Sequence, residues 1–214
     1  MATHAPSRLR RAAALHGIYA ILNDDSSVLE RARAVLNAGV RIVQYRAKNG
    51  MVAETLRRLR AMTREDDALL ILNDDWQAAR AFDCDGVHLG PGDDGFAHVA
   101  PVRAALPQAL IGLSCGTLPE VRRANRDDVD YLGIGSVYST HSKGDAGEPI
   151  GIEGLRRLAA ASAPPVAAVG GIDLARLAEV RSTGVAMAAV ISAIATEPRA
   201  AARALVARWE GTPR

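Results

Sequence analysis

Eight short apolar segments, rich in β-branched residues and separated by stretches of helical periodicity, constrain this chain more than any other feature. They are residues 17–23, 41–46, 68–73, 86–90, 110–115, 131–137, 165–171 and 185–193. Each is nearly continuous in hydrophobic character over the length of a strand, as parallel strands buried on both faces require. Between them, apolar residues recur at helical spacing: Leu29, Ala32, Val35 and Leu36; Leu56, Leu59 and Met62; Val99, Val102 and Leu106; Leu155, Leu158 and Ala159; Leu174, Leu177 and Val180; Ala204, Leu205 and Ala207. Side-chain oxygens of Ser26, Ser27 and Asp173 are placed to open helices, and Gly39 and Gly184 to end them.

Eight strands alternating with helices predict a (β/α)₈ TIM barrel of the α/β class, one domain over residues 1–214. Residues 1–16 form an extension or a short helix closing the bottom. A doubly wound open sheet is the rival, but it opens on a glycine-rich phosphate loop after the first strand, and Asn23-Asp24-Asp25-Ser26 is not one.

Composition narrows the function. Aromatic residues are only 4% of the 214, so Ala, Val, Leu and Ile must fill the core. The net charge of +2 comes with Arg8, Arg10 and Arg11; without these three, 23 basic residues face 24 acidic ones. No clustered basic face for nucleic acid results. No segment has the roughly 20 apolar residues of a membrane span. The two scattered cysteines, Cys84 and Cys115, read as reduced thiols of a cytoplasmic protein. Oligomeric state is not fixed, and a homo-oligomer is compatible with the sequence.

In such a barrel, function sits on the loops beyond the C-terminal strand ends. The second segment ends in Gln44-Tyr45-Arg46-Ala47-Lys48, where alternation sends Gln44, Arg46 and Lys48 to one side. Charges converging on an apolar barrel call for an anion such as phosphate, or for an internal salt bridge with a neighbouring Asp. The third and fourth segments end in Asn73-Asp74-Asp75 and in His88-Leu89-Gly90-Pro91-Gly92-Asp93. Asp74 and Asp93 can meet above neighbouring strands and hold a hard cation, Mg²⁺, together with substrate phosphate oxygens. The bland alternative makes Asp74 a helix cap and Asp93 a turn residue, while His88 reads as a hydrogen-bonded strand residue. The sixth segment runs into Thr140-His141-Ser142-Lys143, hydroxyls and a lysine suited to anions, with His141 an exposed loop residue. The seventh and eighth end in Gly170-Gly171-Ile172-Asp173 and Val190-Ile191-Ser192, the recurrent phosphate seat of these barrels. Two anion sites on one rim imply two phosphorylated small-molecule substrates joined in a reaction.

These strings together resemble the thiamine-phosphate synthase family over nearly the whole chain. They are 43–48 (Val-Gln-Tyr-Arg-Ala-Lys), Asn73-Asp74, 85–90 with Asp93, 111–114, 130–135 and 170–172. The resemblance implies a transferase of thiamine biosynthesis that joins hydroxymethylpyrimidine pyrophosphate to a thiazole phosphate and releases pyrophosphate. It implies that Gln44, Arg46, Lys48, Asn73, Ser114 and Lys143 hold the pyrimidine pyrophosphate, with Tyr45 and Ala47 in the same run. Asp74 and Asp93 would bind Mg²⁺, and Thr140, His141, Ser142, Gly171, Ile191 and Ser192 would hold the thiazole phosphate. Its dissociative reaction leaves a pyrimidine-methyl cation, so charge on the departing pyrophosphate must be neutralised by Arg46, Lys48 and Lys143. Residues 144–151 are the expected lid.

The chain departs from the family pattern at three places. Cys115-Gly116-Thr117 follows Ser114 where many relatives have Ala/Thr-His-Thr; Ser136 and Tyr138 replace Pro and Phe; Ser142 replaces a Thr. Two alternatives follow: a thiazole tautomerase-like isomerase of the same fold, and a non-catalytic barrel binding thiazole or thiamine phosphates.

Overall fold

The computed structural model describes residues 7–140 and 148–211. Eight parallel strands form a closed barrel in sequence order: β1 (Gly17–Asn23), β2 (Ile42–Arg46), β3 (Leu69–Asn73), β4 (Gly86–Leu89), β5 (Leu110–Cys115), β6 (Tyr131–Ile134), β7 (Val166–Val169) and β8 (Met187–Val190). Pairing of β1 with β8, Gly17 opposite Met187 and Ala20 opposite Val190, completes the closure. Around it lie α1 (Arg8–Ala13), α2 (Val28–Asn37), α3 (Ala53–Glu65), α4 (Trp76–Ala81), α5 (Val99–Ala105), α6 (Leu118–Ala124), α7 (Gly151–Ala161), α8 (Leu177–Arg181) and α9 (Pro198–Glu210).

All eight expected strands form, several shorter than the apolar runs. The last two stop where the backbone turns: Gly170 and Gly171 take φ of 104° and 64°, and Ser192–Ile194 is a 3₁₀ turn. The helices α4 and α6 carry too little periodicity to be marked by it. Their caps define them instead: Asp75 accepts from Ala78 N–H, and Thr117 and Glu120 form a reciprocal capping box. Ser27 precedes α2 but makes no side-chain cap; its own N–H donates to Asp25 Oδ1 at 2.8 Å. Asp173 accepts from Arg176 N–H at 3.0 Å, and Gly39 and Gly184 have positive φ just beyond α2 and α8.

Alternation divides the core into two shells. Ile18, Ala20, Leu22, Val43 and Tyr45 pack outward under the helices. Tyr19, Ile21, Ile42, Ile71, Leu110, Tyr131, Met187 and Ala189 fill the barrel, with Leu15 below them. Two glycines give the large interior rings their space: a Cβ at Gly112 would come within 2.2 Å of the Tyr131 ring, and one at Gly133 within 2.9 Å of His88.

Buried ion pairs close the N-terminal end. Asp85, just before β4, accepts from Arg11 Nε at 3.0 Å, Arg60 Nη1 at 2.6 Å and Leu70 N–H at 2.9 Å. Asp130, just before β6, takes Arg8 Nε and Arg103 Nη2, each at 2.6 Å. Thus α1 is bound beneath the barrel by charge as well as by packing. Asp85→Ala strands two buried guanidinium groups, and urea denaturation is expected to show a loss of about 3–5 kcal/mol. A loss below about 1 kcal/mol would show that these ion pairs do not hold the barrel floor.

Candidate active site

At the opposite end, five side chains from five strands form one hydrogen-bonded chain across the interior. Gln44 Nε2 donates to Tyr19 Oη at 2.6 Å, and Tyr19 Oη lies 2.9 Å from Tyr131 Oη. Tyr131 Oη lies 3.1 Å from His88 Nδ1, and His88 Nε2 lies 3.0 Å from Ser114 Oγ. Burial raises the pKa of both phenols, which therefore stay protonated as hydrogen-bonding groups. His88 is thus the internal strand residue expected of it. Gln44 is 1% exposed, and its Oε1 is buried without a partner among the described residues. This acceptor, midway along β2, is free to take a hydrogen bond from a ligand donor.

Beyond Gln44, Arg46 ends β2 half-buried, with Nη1 donating to Asn23 Oδ1 at 3.2 Å. Lys48 Nζ pairs with Asp74 Oδ2 at 2.7 Å, so the alternative of an internal salt bridge describes the Lys48 contact as it stands. Asp74 follows Asn73 with φ of 69°, an uncommon backbone for a residue with a side chain, while the helix cap is its neighbour Asp75. Asp93 is a turn residue as well, accepting Gly90 N–H at 2.6 Å. Burial and the adjacent Asp74 carboxyl push the Asp93 pKa up to about 6. Two carboxylates held against each other beside Lys48 carry more negative charge than this neighbour balances.

Their donor set suits a hard divalent cation that draws its remaining ligands from water and phosphate. Among the described residues, no three His, Cys, Asp or Glu side chains gather into a larger metal cage.

Next to this group opens a cavity of about 520 Å³, lined by Pro91, Ser114, Gly116, Gly171, Ile191 and Ser192 among others. Thr140 also lines it, whereas His141, Ser142 and Lys143 lie outside the described residues, as do residues 144–147 of the expected lid. Ser114 and Asp93 approach each other over Gly90: a Cβ there would lie 3.7 Å from Ser114 Oγ and 3.4 Å from Asp93 Oδ2. The cavity and the carboxylate pair are therefore neighbours. Tyr45 is set apart from the group; its side chain is fully buried in the outer shell, with its hydroxyl accepting from Val52 N–H. Ala47 is also packed against that shell.

Glu120 in the cavity wall was not expected from the sequence, whereas Ser136 was marked as a departure from the family pattern and Glu148 and Ile150 belong to the expected lid segment. Glu120 left a signal of its own, as the fourth residue of a Thr-x-x-Glu capping box. Its carboxylate accepts the Gly116 and Thr117 N–H groups at 2.7 and 2.9 Å. At Gly116 a Cβ would meet Gly135 O at 3.5 Å, an ordinary contact, so glycine opens the wall there without being sterically required.

Known proteins resemble this chain in sequence and fold. The chain is 47% identical over 182 residues to a thiamine-phosphate synthase of Archaeoglobus fulgidus, covering 83% of this chain and 84% of that one. It is 41% identical over 184 residues to one of Moorella thermoacetica, covering 83% and 86%. The solved thiamine phosphate pyrophosphorylase of Pyrococcus furiosus superposes with a TM-score of 0.84 at 37% identity, over 95% of this chain and 98% of that one. The thiamine monophosphate synthase family matches residues 18–194, and with the barrel, the rim and these relatives in agreement, the chain belongs to that family.

Proposed function

We propose that this chain joins hydroxymethylpyrimidine pyrophosphate to a thiazole phosphate, forming thiamine phosphate and releasing pyrophosphate, with Mg²⁺ held by Asp74 and Asp93. The observation that carries this reading is the adjacency of the Lys48–Asp74–Asp93 group to the glycine-walled cavity, with Ser114 between them. One site suits a pyrophosphate with its cation, the other a monophosphate.

In this reading Gln44 receives the pyrimidine, its open Oε1 accepting a hydrogen bond from the ring's amino group. Arg46, Lys48 and Lys143 hold the pyrophosphate, with Asn73 and Ser114 alongside. Bound Mg²⁺ would supply charge neutralisation on the pyrophosphate oxygens. Lys48 then exchanges its Asp74 partner for the substrate. The C–O bond breaks with its electron pair leaving on pyrophosphate, and fixed positive charge stabilises that departure. Gly171, Ile191, Ser192 and Thr140, with His141 and Ser142 from the same loop, hold the thiazole phosphate. Its ring nitrogen then donates a lone pair to the pyrimidine-methyl cation, helped by proximity. No protein nucleophile is required. Gly116 offers no imidazole for tautomerisation, which disfavours the isomerase alternative. The two buried free thiols support a cytoplasmic setting; among the described residues, no helix is long and apolar enough to cross a membrane.

Purified protein given both substrates is expected to release pyrophosphate in step with thiamine phosphate, in Mg²⁺ but not in EDTA. Binding without turnover would instead favour the non-catalytic barrel. Arg46→Ala is expected to lower kcat about 100-fold. The same variant should melt within about 4 °C of the unaltered protein. Unchanged turnover in this variant would contradict its assigned role.

A further inference from the structure

The Gly170-Gly171 turn is pinned from outside the cavity by side chains that the proposed chemistry does not use. The loop after β6 lies directly on it. A Cβ at Gly170 would come within 2.0 Å of Ser136 Oγ, and one at Gly171 within 2.8 Å of Tyr138 Cβ. Val137 N–H donates to Val169 O at 2.9 Å and Tyr138 N–H to Gly170 O at 3.0 Å, extending the β6–β7 pairing. Ser136 Oγ donates to Tyr138 O at 2.9 Å.

The Tyr138 side chain then crosses to α8, its hydroxyl donating to Glu179 Oε2 at 2.8 Å. The Arg176 guanidinium lies over the Tyr138 ring, 4.5 Å from its centroid, and donates Nη1–H to the Gly171 carbonyl at 2.6 Å. This last bond decides which way one peptide faces. With the Gly171 carbonyl turned to Arg176, the Ile172 N–H at the other end of the same planar trans peptide points the opposite way. Gly171 and Ile172 both line the cavity, where backbone N–H groups of a glycine turn are suited to an anion.

We propose that Tyr138, Arg176 and Glu179 form a latch of positioning residues that holds the Gly171–Ile172 peptide in the orientation receiving the phosphate of the thiazole substrate. The inference rests on the reading of the β7 and β8 ends as the thiazole phosphate seat. Arg176 sets the peptide directly. Tyr138 supplies the surface on which Arg176 lies and keeps the β6 loop against the glycines. Glu179 fixes the ring that bears both contacts.

Titration calorimetry and steady-state kinetics on the full chain test the latch. Tyr138→Phe removes one hydroxyl and is expected to raise both Kd and KM for thiazole phosphate about fivefold. In the same variant, KM for the pyrimidine pyrophosphate and kcat should stay within about twofold. Glu179→Ala should match it, and Glu179→Gln, which keeps an acceptor, should restore binding. The double variant Tyr138→Phe/Glu179→Ala should bind no more weakly than either single one, because both break the same bond. Thiazole phosphate binding left unchanged in both single variants would overturn the latch and leave the site reading intact. A rise in both KM values together with a lower Tm would overturn it too, assigning these residues to the fold. Failure of the unaltered chain to bind thiazole phosphate would overturn the site reading and the latch with it.

Discussion

Hydrogen bonding between β1 and β8 closes a parallel sheet on itself, and the closed interior leaves room for very few large side chains. Alternation sends every second strand residue inward, and eight strands share that space. Here it is occupied by Tyr19, Tyr131 and His88, made possible by glycine at positions 112 and 133. Because these rings are polar at their tips, they must satisfy one another, and the chain from Gln44 to Ser114 results. It ends at one side in an open amide oxygen and at the other in a serine on the cavity wall. The packing requirement of the barrel thereby fixes the polar groups at its mouth.

The two ends of the barrel treat charge in opposite ways. At the floor, Asp85 and Asp130 are each shared by two arginines and a backbone N–H, leaving buried carboxylates saturated. At the mouth, Asp74 and Asp93 crowd each other with Lys48 as a shared cationic neighbour. A saturated cluster stabilises a fold, whereas an unbalanced one stores affinity for a ligand that restores the balance. Among the carboxylates described, the rim pair therefore gives the clearest electrostatic reason to expect a cation and a polyphosphate.

Much of this was legible in the sequence, for identifiable reasons. Parallel strands buried on both faces read as apolar runs, so all eight were visible, and their ends marked the rim. Alternation sent Gln44, Arg46 and Lys48 to one side, and Gln44 does face the interior Tyr19 while Tyr45 packs in the outer shell. Illegible were features made by backbone geometry. Nothing in the composition of α4 or α6 has helical periodicity over so few residues. The left-handed Asp74, the side-chain orphan at Gln44 Oε1 and the Tyr138–Glu179 bond arise only when distant segments meet. Glu148 and Ile150, from the segment expected as the lid, contribute to the cavity wall itself.

The proposed function brings metal and pyrophosphate together at the Asp74–Asp93 pair. Anomalous diffraction from crystals of the protein grown with Mn²⁺ and pyrophosphate measures this directly. The account predicts a manganese peak shared by the Asp74 and Asp93 carboxylates, with Lys48 turned from Asp74 to the pyrophosphate. A manganese peak elsewhere, or pyrophosphate bound with the Lys48–Asp74 pair intact and no metal between the aspartates, would contradict it.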